Sequence, residues 1–367
     1  MDSNYVEMFS EFSTESIRVL CAIANFMGYF NYYSDHVHFV ALIVGTVLGV
    51  IHLTILTRKC MRALRINVFL TGIAAAEITR TICIIIIFVP FFNLRYLSDK
   101  VSDCHDPEST VAVFSYNVSA SFTRITEKIS VWLAVAIAVI RTLVMRYLVN
   151  GRINCWTDAK YGLKIVLLIT LLILPFGASN YSKLSSTSVR EWTPFTNCIT
   201  FSGNSTKIKF DFHSTELFGS TDVFKIALLI EGIFLEFTPS IILPITTISL
   251  IMDLRKARKN SLFTKSSLSS SDTVRSIKLV AFVTITFLFT TTPLGFMYIV
   301  GIFIVTMPGL IMLVTKFAWV LTFLTTISGI VHILICYLMS MQYRSTAHKM
   351  FGKNRKIFIS TSFVHPI

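Results

Sequence analysis

The sequence predicts an all-α membrane protein: a bundle of seven transmembrane helices followed by a short amphipathic eighth helix. Of its 367 residues, 53% are hydrophobic and only 14% are charged, and the mean hydropathy is +0.68. Soluble proteins carry about 25% charged residues. Several apolar runs reach the roughly 20 residues that a transmembrane helix needs, and basic residues concentrate in alternate loops. We therefore expect one membrane-embedded helical domain.

The predicted spans divide the chain into three parts: an extracellular N-terminus at 1–35, a helical domain at 36–339, and a cytoplasmic tail at 340–367. The N-terminal part is acidic and lacks the basic start and cleavage site of a secretory signal. The first span is therefore expected to direct its own insertion. The boundary of the last span is blurred, because residues 301–314 are also apolar. The spans are 36–57, 67–91, 126–148, 161–178, 223–251, 277–300 and 315–339.

The charge distribution predicts an extracellular N-terminus and a cytoplasmic C-terminus, in a multi-pass protein of the plasma membrane. Most of the 33 Lys and Arg residues follow spans one, three and five or lie in the tail, where the acids are only Asp158, Asp253 and Asp272. Basic residues favour cytoplasmic loops. The net charge of +13 then reflects contact with the inner leaflet of the lipid bilayer, and it does not indicate nucleic-acid binding.

Sequons and cysteines support the same topology. Three Asn-x-Ser/Thr triplets, at Asn117, Asn180 and Asn204, all fall on the predicted outer side, where glycosylation takes place. Cys104 and Cys198 are also external, and a disulfide between them would hold the long loop after span four over the helix bundle. Cys21 is external too and could compete for either partner. We predict a disulfide-bonded glycoprotein.

A carboxylate lies near the middle of the second span. Glu77 is about 15 Å above the inner end of that helix, in the stretch "NVFLTGIAAAEITR". Acids at this depth usually mark ion, proton or signal pathways, although a neutral Glu that only supports packing is the alternative. Ser130 and Ser328 fall at a similar depth in spans three and seven, and His332 lies one turn lower. We expect these side chains to share a polar centre that holds a sodium ion or a proton.

Other features concern kinks in the helices and the cytoplasmic end of the bundle. Pro239 and Pro293 should kink spans five and six. Arg141 lies at the inner end of span three, where a basic residue is most often a simple membrane anchor. The basic stretch "SMQYRSTAHKMFGKNRKIF" after span seven is amphipathic and predicts a helix along the inner membrane surface, with a solvated tail as the alternative.

These motifs resemble those of rhodopsin-like G-protein-coupled receptors. "NVFLTGIAAAE" is similar to their helix-two pattern "NxxLxxLAxAD", with Glu77 in place of Asp, and "VIRT" at 139–142 stands where they have "DRY". The resemblance makes Arg141, with Thr142 beside it, the arginine that faces the G protein. Phe287 matches the aromatic residue six positions before Pro293. "HILIC" at 332–336 replaces "NPxxY", and Tyr343-Arg344 matches the start of helix eight.

The chain more closely resembles the nematode serpentine chemoreceptors of class w (Srw), a family related to FMRFamide-type neuropeptide receptors. The resemblance rests on the order and spacing of five stretches. They are "HLTILTRKCMR" (52–62), "ISVWLAVAIAVIRTLV" (129–144), "LPITTISLIMDLRKARK" (243–259), "PLG" (293–295) and "MSMQYR" (339–344). Several positions depart from the rhodopsin-like pattern: Gly49, Ile140, Thr291, His332 and Cys336.

The resemblance implies a chemosensory receptor that couples an extracellular peptide or small polar molecule to a heterotrimeric G protein. In this interpretation helix six moves about Pro293 and exposes Arg141. The outer half of span three carries charged residues three and four positions apart, on one helix face. With a glutamate at the same height in span five, they predict a polar ligand pocket, although mutual neutralisation of the span-three charges is an equal alternative. The pocket residues are Thr123, Arg124, Glu127, Lys128, Glu231, Tyr298 and Thr322.

Other classes of protein fit less well. A retinal-binding receptor would have a Lys near Thr326, and an amine receptor would have an Asp at Thr123. An insect-type odorant channel would have the opposite orientation. Enzyme function is not expected, since no P-loop, nucleophile elbow or metal-spaced His/Cys cluster is evident. No cofactor is expected beyond sodium at Glu77. The alternative function is a proton-coupled transporter that uses Glu77 and His332.

Overall fold

The structure is a computed structural model, and within the residues that it describes the chain is helical apart from one hairpin. The described residues are 9, 12–62, 65–98, 110–147, 159–182, 188–192, 207–211, 221–261, 285, 288–290, 292–297, 299–304 and 307–352.

The main helices follow the predicted spans in order. A continuous helical segment, α5, consists of Thr221–Ile230, the π-helical stretch Glu231–Phe237 and Thr238–Ser261. A single turn of helix, Lys59–Arg62, joins the first two long helices. The others are α1 Thr14–Leu56, α2 Arg65–Ser98, α3 Thr110–Tyr147, α4 Ala159–Ser182, α6 Leu288–Ile304, α7 Pro308–Met339 and α8 Met341–Met350.

Five predicted spans are confirmed as helices that are long and apolar enough to cross a membrane. They lie in Thr14–Leu56, Ile66–Val89, Lys160–Gly177, Lys225–Asp253 and Gly309–Leu338. The third predicted span corresponds to α3, a long helix that carries several charges. The sixth corresponds to α6, a shorter apolar helix. The short helix α8 follows α7 at the predicted place; its position along the membrane surface stays a prediction.

Helix α1 extends well beyond the membrane thickness and packs along α7. Its 43 residues span about 65 Å, roughly twice the 30 Å of a hydrocarbon layer. In its N-terminal half the Asn31 side chain donates to the Lys316 carbonyl at 3.2 Å, and Lys316 Nζ donates to the Ala24 carbonyl at 3.2 Å. Trp319 Nε1 donates to Asp35 at 2.7 Å. These contacts fix α1 against α7, so the two helices can share a site lower down.

The main core lies between α2, α3, α4 and α5. Phe69, Leu133 and Leu243 are fully buried there, and Val166 of α4 packs against them. Gly72 allows this approach, since a Cβ at that position would lie 2.9 Å from the Leu133 side chain. In contrast, large apolar residues along α1 and α4 face outward, as lipid contact requires.

A two-stranded hairpin follows α4. The strand β1, Ser188–Trp192, pairs antiparallel with β2, Lys207–Asp211, and Arg190 lies opposite Lys209. A strand edge with unpaired backbone groups needs water, which agrees with the predicted location of this loop outside the membrane.

Candidate functional site

A small cavity lies between α1, α2 and α7. Its volume is about 30 Å³, and the residues that line it include Gly49, Glu77, Arg80, Gly329 and His332. Glycines make this space, because a Cβ at Gly329 would lie 3.5 Å from the Glu77 Oε2 atom, and one at Gly49 would lie 2.8 Å from a neighbouring isoleucine. A cavity of this size accommodates a water molecule or a small ion.

The Glu77 carboxylate at this cavity is paired with Arg80. The Arg80 Nε and Nη2 atoms donate to Glu77 Oε2 at 2.9 and 2.8 Å. The arginine side chain is 1% exposed and the glutamate side chain 22% exposed. A third guanidinium nitrogen lies 3.5 Å from Thr326 Oγ1, which in turn lies 3.1 Å from His38. The site is therefore an ion pair with hydroxyl and imidazole neighbours, and α2 provides both charges.

The expected grouping of Glu77 with Ser130 and Ser328 is not what the structure shows. Neither serine lines the cavity, and the described hydrogen bonds of Glu77 go to Arg80. Ser130 is 1% exposed, and its hydroxyl has no hydrogen-bond partner among the described residues. For Ser130 the physical reason is helix rotation: Glu77 lies at a cavity that residues of α1, α2 and α7 line, and α3 contributes no residue to its described lining. Arg80, one turn from Glu77 in the quoted stretch, was the signal that sequence reasoning missed.

The C-terminal part of α3 contacts α5 close to Arg141. Thr142 donates its hydroxyl to the Ala138 carbonyl at 2.9 Å and lies 3.2 Å from the Thr246 carbonyl of α5. Arg141 is half-buried, and its Nε atom is buried; its role as the arginine that faces a G protein stays a prediction. Pro239 is buried and Pro293 is half-buried in their helices, and Phe287 lies outside the described residues.

A buried ionic cluster joins α3 to α5. Lys128 Nζ lies 3.9 Å from Glu231 and forms a second ion pair with Glu236. All three side chains are at most 6% exposed. Arg124 is exposed and Glu127 is half-buried. Lys128 is therefore paired with acids of another helix. For this residue, the alternative in which the charges of α3 only neutralise one another does not hold.

The π-helical stretch explains how two acids reach one lysine. Glu231 and Glu236 are five residues apart, which in an α-helix would place them about 140° apart around the axis. A π-helix instead bonds residue i to residue i+5 and stacks them. Such segments are frequent at functional sites. Glu236 was missed in the predicted pocket because the sequence pattern was interpreted with the period of a regular α-helix.

The remaining predicted pocket residues are not joined to this cluster by described contacts. Thr123 and Thr322 donate to backbone carbonyls of their own helices, Ser119 at 2.9 Å and Ala318 at 3.0 Å. Tyr298 lies outside the described residues. Their place in a ligand pocket stays a prediction.

The predicted external modifications are only partly within the described residues. Cys104, Cys198 and Asn204 lie outside them. Asn117 is half-buried in α3, and Asn180 lies near the end of α4. Cys21, the expected competitor for the disulfide, is a free and buried thiol. The disulfide and the glycans therefore stay predictions.

Comparison with known proteins assigns a family to this membrane-spanning helical chain. No curated protein matches it. The family model described as "Serpentine type 7TM GPCR chemoreceptor Srw" matches residues 36–354, which includes the cavity, the ionic cluster and α8. By this match, which covers most of its length, the chain belongs to the Srw family of serpentine-type 7TM GPCR chemoreceptors.

Proposed function

We propose that this chemoreceptor detects an extracellular peptide or small polar molecule that carries a basic group, and that it signals through a heterotrimeric G protein. The observation that carries the proposal is the buried cluster of Lys128, Glu231 and Glu236. It links α3 to α5 in the outer half of α3, where the sequence predicted a pocket.

The charge balance of the cluster favours a cationic ligand. Two carboxyl groups face one amino group, so the cluster has one more acidic than basic group in a site from which water is largely excluded. Buried charge is costly unless it is paired. A ligand amine or guanidinium that reached this site would pair with the second carboxylate, and it would release Lys128 from holding both acids.

Signalling then requires that the ligand bind one arrangement of the helices more tightly than the other. A nearly complete switch needs a difference of about 5.5 kcal/mol. In the proposed active arrangement α6 moves about Pro293, and Arg141 contacts the G-protein α subunit. Gly295 supports a link to the cluster, since it lies directly against Glu236: a Cβ there would be 2.9 Å from the Glu236 Cβ.

The test is G-protein activation in cells that express the receptor, screened with peptides and water-soluble odorants. Once a ligand is found, Glu231→Gln and Glu236→Gln are expected to lower its potency at least tenfold without loss of surface expression. Glu15→Gln, an acid in the exposed first turn of α1, is the matched control. Unchanged potency in both pocket variants would contradict the ligand site.

The alternative of a proton-coupled transporter is not favoured by the family. Transport predicts flux of a substrate that depends on a proton gradient and on Glu77, with no need for a G protein. A flux assay in the same cells distinguishes the two functions, since the receptor proposal predicts signalling without uptake.

We also propose a plasma-membrane location, with the N-terminus outside and the C-terminus in the cytoplasm.

A further inference from the structure

Three side chains with metal-binding atoms come together where α1, α7 and α8 meet. His52 of α1 and His332 and Cys336 of α7 each place a ligand atom within 4.8 Å of the others. His332 and Cys336 are one helical turn apart and therefore share a face of α7. His52 joins them only because α1 packs along α7. No metal-spaced cluster was expected from the sequence, since this third residue is remote in the chain.

The distance between two of the donor atoms suits a tetrahedral metal ion. The His332 Nε2 atom lies 3.7 Å from the Cys336 sulfur. In a tetrahedral site, zinc with bonds of about 2.3 Å to sulfur and about 2.0 Å to nitrogen holds those two atoms about 3.5 Å apart. The rings of His52 and His332 are nearly perpendicular, at 84°, with centroids 6.1 Å apart. The helices thus hold the donors near a binding geometry without a change of fold.

His52 is oriented as a metal ligand usually is. Its Nδ1 atom lies 2.7 Å from the Tyr343 hydroxyl of α8. The residue is only 2% exposed, so water does not reach its other nitrogen freely. This nitrogen, Nε2, has no hydrogen-bond partner among the described residues. Histidines that bind metals commonly use one nitrogen for the ion and fix the ring through the other.

We propose that His52, His332 and Cys336 bind a zinc ion through their two imidazoles and the thiolate. The cavity that both histidines line has room for about 30 Å³, enough for a water molecule as the fourth ligand. Binding releases the thiol proton to solvent as the zinc–sulfur bond forms. Two imidazoles and a thiolate favour zinc or copper(I) over magnesium or calcium, which prefer oxygen donors.

Zinc at this site would join α1 to α7 and act on the signalling part of the bundle. His52 and His332 line the cavity that contains Glu77 and Arg80, so a metal ion bound to them adds positive charge beside this ion pair. We expect zinc to hold the arrangement seen here and to reduce activation. This last effect rests on the proposed function, whereas metal binding does not.

The test is metal binding to the purified full-length chain in detergent, after removal of metals with a chelator. One equivalent of zinc is expected to bind and to raise the melting temperature, and magnesium and calcium are expected to leave it unchanged. Cobalt(II), as a spectroscopic probe, is expected to give a thiolate-to-metal charge-transfer band. Cys336→Ser should abolish this band, and Tyr343→Phe should weaken zinc binding about 10–100-fold.

Cys83→Ser is the matched control, because Cys83 is another buried free cysteine and is outside the group. It should bind zinc and cobalt like the unmodified chain. A cobalt spectrum of the unmodified chain without a thiolate band would overturn the proposal, and this result needs no variant to fold. Unchanged zinc affinity in both Cys336→Ser and His332→Asn would also overturn it. A receptor that binds zinc but activates no G protein would contradict only the proposed function.

Discussion

The guanidinium of Arg80 holds the Glu77 carboxylate at a small cavity, and replacing Arg80 with glutamine is expected to lower stability. Removal of one partner from a buried ion pair costs about 3–5 kcal/mol, and the cost here should be at the lower end because the Glu77 side chain is 22% exposed. Thermal unfolding in detergent measures the effect. The control is Arg18→Gln, at an exposed position.

The double variant Arg80→Gln with Glu77→Gln gives the sharper comparison. It has no unpaired charge at the cavity, so it is expected to be more stable than Arg80→Gln alone. A double variant that unfolds at a lower temperature than the single one would contradict the ion pair as the main role of Arg80.

Sodium at Glu77 stays a prediction, and Arg80 is the cation that a sodium ion would have to displace. If sodium binds, exchange of sodium chloride for choline chloride at equal ionic strength lowers the melting temperature. Glu77→Gln removes the carboxylate and should abolish this difference. Equal melting temperatures in both salts for the unmodified receptor would leave Arg80, or a proton, as the occupant of the site.

Arg141 follows Ile140, where the rhodopsin-like pattern has an acid. This substitution predicts elevated signalling without ligand, unless Asp272 near helix six takes the place of that acid. An acid beside an arginine stabilises the arrangement in which the guanidinium is turned away from the G protein. Ile140→Asp is therefore expected to lower ligand-free G-protein activation. Ile137→Asp, one turn away on α3 and half-buried, tests whether any new acid has this effect. No decrease in Ile140→Asp would contradict the idea.

At the scale of helices, the contact of α6 with the π-helical stretch of α5 depends on Gly295. A Cβ there would lie 2.9 Å from the Glu236 Cβ and 3.4 Å from the Phe237 backbone nitrogen. Because backbone atoms cannot move aside cheaply, Gly295→Ala is expected to push α6 away from α5 and to lower the melting temperature.

Gly301→Ala is the matched control for that change. It lies on the same helix, and a Cβ there would meet nothing within 4 Å among the described surroundings. It is expected to keep the melting temperature or to raise it slightly, since alanine favours a helix over glycine. Equal effects of the two substitutions would show that helix propensity, not the contact with α5, decides the outcome.

For the whole molecule, the charge distribution predicts that the N-terminus and the sequons lie outside the cell. Treatment of the receptor from intact cells with a glycosidase is expected to reduce its apparent mass, and Asn180→Gln with Asn204→Gln should remove most of this change. A C-terminal tag should be inaccessible to antibody until the cells are permeabilised. Access to the tag in intact cells would contradict the proposed topology.

The sequence by itself determined the membrane class and the order of the helices. An apolar run of about 20 residues forms a helix in lipid, because its backbone must satisfy its own hydrogen bonds there. For this reason the predicted spans at 67–91 and 161–178 agree closely with Ile66–Val89 and Lys160–Gly177.

Only the tertiary structure decided which side chains meet. Equal depth suggested that Glu77 faces Ser130, but the rotation of α2 placed it with Arg80 beside α1 and α7. One π-helical stretch brought Glu236 to Lys128, and the packing of α1 on α7 brought His52 to Cys336. The position of a residue along its helix follows from counting residues in the chain. The direction in which its side chain points, and what that side chain contacts, depend on how every helix packs against its neighbours.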